Sequence, residues 1–162
     1  VANGIEVLVR VVETSVSAQT GTVLNRTVLV TTNRVIEDGE DAGQLVPVET
    51  IDRVVGEERP LLVKIDVEGY EPQVIAGAHQ VLADPQLQAL LIETTDDGIR
   101  AYLAGAGFRR ATYEPFSRRL EWAKTPEVKD EGANNSLYVR DIEVCRARVA
   151  SAPRRRVLGQ SV

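Results

Sequence analysis

Methionine is absent from the 162 residues, and histidine and cysteine occur once each, as His79 and Cys145. A single cysteine excludes an intramolecular disulfide and a thiolate zinc site. No apolar run approaches the roughly 20 residues that cross a bilayer. No stretch couples a basic start to an apolar middle in the manner of a secretory leader. A membrane partner is therefore not expected, and a cytoplasmic setting is. Aromatic residues make up only 4% of the chain, and Trp122 and Tyr113 stand too far from other rings to form a base-stacking platform. The net charge of −5 argues against a general nucleic-acid partner, because phosphate affinity comes mainly from clustered Lys and Arg. The missing methionine and the Val1 start have two readings: removal of an initiator residue, or a chain cut from something longer.

What is present is the ordinary mixture of a globular chain, 43% hydrophobic and 27% charged, with a length near one domain. Charge is unevenly placed. Residues 146–162 hold Arg146, Arg148, Arg154, Arg155 and Arg156 and no acid, so they read as a disordered basic tail following a domain over residues 1–145. The stretch Glu37–Asp41 reads as a solvated acidic loop, without the alternating ligand spacing of a calcium loop.

Residues 5–12 alternate, and Gly21-Thr22 separates them from a second run, Val23 to Val30, which suggests two marginal strands. Leu61-Leu62-Val63-Lys64-Ile65 is a nearly continuous apolar run and predicts a strand covered on both faces. Gly69 permits a sharp turn, and Pro72 suits a first helical position. Val74, Ile75, Ala78, Val81 and Leu82 then predict one amphipathic helix over 72–83. Ala89–Ile92 is a second buried strand. Asp96 or Asp97 caps a helix carrying Ile99, Tyr102, Leu103 and Ala106, and Gly105 and Gly107 mark its end. Phe108–Tyr113 and Ser136–Val139 supply later strands. Strand–helix alternation of this kind predicts an α/β fold with a mostly parallel sheet.

Ligands of open α/β sheets bind beyond the carboxyl ends of the parallel strands. Asp66 terminates the first buried strand, with Glu68 two residues on, and Glu93 terminates the second. If the strands are neighbours, Asp66 and Glu93 share a crevice, where two carboxylates can bind a metal, orient a hydroxyl or amine, or act as general base. Against this stand structural roles: Asp66 capping the following turn and Glu93 pairing with an arginine. His79, beside the apolar stripe of its helix, reads as a surface residue, and Cys145 as inert.

The block LLVKIDVEGYEPQVIAGAHQVL, followed by LLIET, resembles the FkbM-type family of S-adenosylmethionine-dependent methyltransferases. Glu71, Val74, Ile75, Gly77 and Ala78 occupy the family's helix pattern after the D-V-E-G turn. VPVETIDRVV resembles its threonine-leucine-aspartate segment, with Ile51 in the leucine's place, and NNSLYV its asparagine-containing final strand, with Asn135 at the matching position. The resemblance spans about residues 5–142. It implies a Rossmann-like class I methyltransferase sheet, mostly parallel with an antiparallel final strand, that methylates a hydroxyl of a small metabolite or sugar. In that reading Asp66 orients the acceptor or takes its proton and lies at the cofactor, Glu68 shapes the turn, and Glu93 and Asn135 line the acceptor pocket. No metal is assigned.

One departure stands out. None of Gly4, Gly21, Gly39, Gly43 and Gly56 forms the glycine-rich turn that approaches the cofactor's amino-acid portion. In the sheet order 3-2-1-4-5-7-6 that the resemblance implies, the first two strands are lacking, between Ile5–Val12 and Leu61–Ile65. The expectation is a carboxy-terminal part of a methyltransferase, inactive alone, binding S-adenosylmethionine weakly and self-associating through the exposed edge. Two alternatives are a non-catalytic α/β interaction module of the same fold and a metal-dependent enzyme using Asp66 and Glu93.

Overall fold

A computed structural model describes residues 10, 12–25, 44–67, 69–93, 96–124, 135–154, 156–157 and 160–161. The run expected at residues 5–12 and the acidic loop Glu37–Asp41 fall almost wholly outside these residues, as does the Val23–Val30 run from residue 26 on. In chain order the elements are β1 (Ser15–Val16), β2 (Gly21–Asn25), β3 (Gln44–Glu49), α1 (Ile51–Val55), β4 (Leu62–Ile65), α2 (Glu71–Ala76), α3 (His79–Ala83) and β5 (Ala89–Ile92). They continue with α4 (Asp97–Gly105), β6 (Arg109–Glu114), β7 (Arg119–Trp122), β8 (Ser136–Val139), α5 (Ile142–Ser151) and a small pair, β9 (Arg156–Val157) and β10 (Gln160–Ser161).

The fold is α/β, but the sheet is not mostly parallel. The main sheet has the order β4-β5-β8-β6-β7, in which only β4 and β5 pair in parallel; β5·β8, β8·β6 and β6·β7 are antiparallel. The strand–helix alternation correctly requires β4, β5 and β6 to run in one direction. Side-by-side pairing of β5 with β6 does not follow, because β8 returns from later in the chain and inserts between them. The hairpin β6–β7 adds a further antiparallel strand. Its turn includes Arg118 at φ 57, and its Glu114 carboxylate accepts the Phe116 and Ser117 amides. The amino-terminal strands make a separate sheet, β1-β3-β2, rather than a continuation of the main one among the described residues. Gly21-Thr22 opens β2, which takes in the start of the Val23–Val30 run.

The main core lies on one face of the sheet. Ile65, Leu90, Ile92 and Tyr138 pack there against Val74, Ile75, Val81 and Leu82 of α2–α3 and Ile99 and Leu103 of α4. On the other face, Val139, Ala111 and Leu120 meet Ile142, with Trp122 and Cys145 at the margin. This second cover does not reach β4, whose Leu62 is 56% exposed, so the strand expected to be buried on both faces is buried on one. The basic segment begins inside a helix: α5 is capped by the Asp141 carboxylate at the Glu143 and Val144 amides, and Arg146 donates to the Leu120 carbonyl.

The helix expected over 72–83 is two helices, α2 and α3. At their junction a Cβ on Gly77 would lie 2.1 Å from the Ser17 carbonyl oxygen, so the absent side chain admits the backbone after β1. The Gly77 carbonyl leaves the helical pattern and accepts the Asp52 amide at 3.0 Å. The Asp52 carboxylate then receives the Gln80 and Val81 amides at 3.0 and 2.9 Å. It serves α3 as an N-cap supplied from another element, since Ala78 at the cap position has no side chain to do so. Thr50 caps α1 through the Arg53 amide.

Candidate functional site

β4 and β5 are parallel with Ile65 opposite Ile92, and Ile92 in turn faces Ser136 of antiparallel β8. Asp66 and Glu93 are the residues that follow the first two, and Asn135 the residue that precedes the third. Three strands therefore deliver Asp66, Glu93 and Asn135 to one sheet edge, each about one strand spacing of 4.8 Å from the next. Glu93 is half-buried, while Asp66 and Asn135 are exposed. Glu68 lies outside the described residues.

Asp66 does not stand alone. Lys64, two residues earlier and so on the same strand face, brings Nζ to 2.5 Å from Asp66 Oδ2. The resulting pair presents adjacent donor and acceptor groups to solvent. The turn after Asp66 is set by Gly69, whose φ of +77° suits a residue without Cβ. Glu71, the one buried charged residue among the described side chains, accepts the Gly69 amide on Oε1 at 3.1 Å. Tyr70 hydroxyl meets Ser17 Oγ at 3.3 Å, tying the turn to the amino-terminal sheet. Neither Lys64 nor Glu71 had been singled out for the site. The spacing of two along a strand was the available signal for Lys64, and position in the first helical turn the one for Glu71.

The other residues considered lie elsewhere. His79 is exposed, with Nδ1 2.7 Å from the Tyr102 hydroxyl and the rings edge to face. Burial and the nearby Asp141 carboxylate raise the Cys145 thiol, so it is a poor nucleophile. Gly107, at φ +88°, ends α4 as a C-terminal glycine. A cavity of about 210 Å³ opens at the opposite end of β4, lined by Asp52, Glu57, Arg59, Gln80 and Asp84. Three of its charged groups are engaged: Arg59 binds Asp84 through two bonds of 2.8 and 3.0 Å, which lowers the Asp84 carboxyl, and Asp52 caps α3. It is a cross-braced cleft remote from Asp66.

Chemically, a carboxylate held by an ammonium, a second carboxylate and an amide at one edge can bind and orient a hydroxyl. No group of three or more His, Cys, Asp or Glu side chains placed to hold a metal ion occurs among the described residues. A sulfonium cofactor needs, besides, a glycine turn at which the backbone approaches its amino-acid portion. Among the described residues Gly69 is the only left-handed glycine at this edge, three residues after Asp66. The described residues at this edge thus offer groups able to hold a hydroxyl, and apart from Gly69 they include no left-handed glycine turn.

An α/β domain with paired carboxylates beyond adjacent parallel strands is the class that the geometry defines. Residues 6–110 match the model of the methyltransferase FkbM domain, and the chain belongs to that family. Asp66, Glu68 and Glu93 fall within the matched segment, and Asn135 beyond it. No curated protein and no solved structure matches the chain. No helix among the described residues is long and apolar enough to cross a membrane.

Proposed function

We propose that this chain carries the acceptor side of an O-methyltransferase whose substrate is a hydroxyl on a small metabolite or sugar, with S-adenosylmethionine as methyl donor and the cytoplasm as setting. The observation that supports this reading is the convergence of Asp66, Glu93 and Asn135 at one edge of a chain of the FkbM methyltransferase family. When bound, the cofactor supplies an activated methyl group on a good leaving group, so the protein's task is chiefly to hold the acceptor oxygen in line and exclude water. Asp66, gripped through Oδ2 by Lys64, accepts the hydroxyl proton or its hydrogen bond. Glu93 and Asn135 take further hydrogen bonds from the acceptor. The described residues do not complete the cofactor site, and the same chain acting as a non-catalytic interaction module is the second reading that this observation favours.

Two measurements test the proposal. Backbone amide shifts should respond to sugars and polyols at residues 64–70, 93 and 135; responses confined to other surfaces would overturn the acceptor assignment. Calorimetric titration with S-adenosylmethionine should show no binding in the micromolar range, and micromolar affinity would sink the view that the cradle is incomplete.

A further inference from the structure

β4 is the outer strand of the main sheet, and among the described residues it pairs with β5 alone. Its outward face carries Leu62 and Lys64, with Asp66 just beyond, and Leu61 beside it is 40% exposed. A lysine in the middle of an edge strand normally discourages pairing with another chain. Here that charge is matched on the spot by Asp66 at 2.5 Å.

We propose that this edge pairs with the same edge of a second copy, antiparallel, about a two-fold axis at Ile65. Facing residues in a sheet must share a face, so such an axis has to pass through a residue rather than between two. Charge then selects among the residues available. An axis at Lys64 sets Lys64 against Lys64 of the second copy, and an axis at Asp66 sets aspartate against aspartate. An axis at Val63 sets Leu62 against Lys64 and leaves Asp66 unmatched. Only the axis at Ile65 sets Lys64 opposite Asp66 of the second copy and Asp66 opposite its Lys64, with Val63 facing Val67 on the core side. The contact is isologous and consumes the edge, so assembly stops at two copies. It also covers part of Leu61 and Leu62. A four-residue strand is short of the roughly 1,200 Å² typical of stable interfaces, so the dimer forms and dissociates with concentration. Because Asp66 takes part, dimerisation and occupation of the acceptor edge are coupled.

Sedimentation equilibrium of the whole chain from micromolar to several hundred micromolar tests this. The expected mass rises from 17.7 kDa toward twice that value and no further. Lys64→Asp and Asp66→Lys each replace two facing attractions with repulsions and should weaken the dimer about tenfold, and the double exchange Lys64→Asp/Asp66→Lys should restore it. Circular dichroism confirms that each variant is folded. A monomer at the highest concentration, a dimer indifferent to the single exchanges, a double exchange that fails to rescue, or growth past two copies would each overturn the proposal. So would β4 amides that stay protected from hydrogen exchange in dilute monomer, since the edge would then be covered by the chain itself.

Discussion

Replacing Arg140 with methionine should be among the most damaging single changes away from the apolar core. Arg140 follows β8 at the sheet edge opposite Asp66. Its guanidinium donates to three carbonyls: Leu87 from Nε at 3.0 Å, Ala106 from Nη1 at 2.8 Å and Leu82 from Nη2 at 2.7 Å. Its Cζ also lies 4.4 Å from the Phe108 ring centre. One side chain thereby closes the carboxyl ends of α3 and α4 and the loop before β5. Charged donors contribute about 1.5–3 kcal/mol per bond, but three bonds from one group are not additive, and a half-buried site lets water replace part of the loss. The cation–π contact adds roughly 1 kcal/mol. Methionine keeps much of the stem's packing, so the expected cost is about 3–4 kcal/mol, a large part of the 5–15 kcal/mol typical of a domain. Urea unfolding followed by far-UV circular dichroism measures it directly, and the melting temperature should fall by about 10 °C. Arg140→Lys, a single point donor, should recover only a minor part. A loss under about 1 kcal/mol for Arg140→Met with an unchanged denaturant slope would refute the assignment of Arg140 as the tie between these elements.

Three further outcomes are expected. Gly77→Ala should destabilise by about 2 kcal/mol or more, because the new Cβ meets a backbone oxygen rather than a flexible side chain; equilibrium unfolding checks it, and a neutral result would mean that Ser17 does not sit at the α2–α3 junction. Asp52→Ala should cost about 1–2 kcal/mol by uncapping α3, with Asp52→Asn keeping part of that, as read by chemical denaturation. Asp84 is lowered first by its bond to Arg59 and then by the Gln86 amide, so its contribution is fully present above its ordinary value of 3.8 and is lost as pH falls through the lower folded value. Stability measured from pH 5 downward should therefore fall less steeply in Asp84→Asn than in the parent.

The residues around the candidate site were legible because each marks a local event. Asp66 and Glu93 end apolar runs, Gly69 carries the turn, and Asp96 caps α4 through the Ile99 amide. Other elements left no comparable trace. α1 is five residues long, too short for a period to show, β3 contains Pro47, and β7 is four residues within a charged hairpin. The split of α2 from α3 was hidden for a different reason: the apolar spacing across it is helical, and the interruption comes from Ser17 and Asp52, distant in the chain.

From the sequence alone came the α/β class, the family resemblance, the direction of β4, β5 and β6, and the acids at two strand ends. These follow from periodicity, punctuation and a contiguous motif, all of which act over a few residues. The order 5-7-6 that the resemblance implies already places the final strand between its neighbours, as β8 lies between β5 and β6. Tertiary structure alone decided that the β6–β7 hairpin extends the sheet, that only β4 and β5 pair in parallel in the main sheet among the described residues, and that β1, β2 and β3 form a sheet of their own. It also decided that Lys64 faces Asp66 on an uncovered strand and that Asp52 and Arg140 close helices far from them in sequence. Sheet coverage and long-range capping depend on contacts between segments tens of residues apart, and no local pattern encodes their partners.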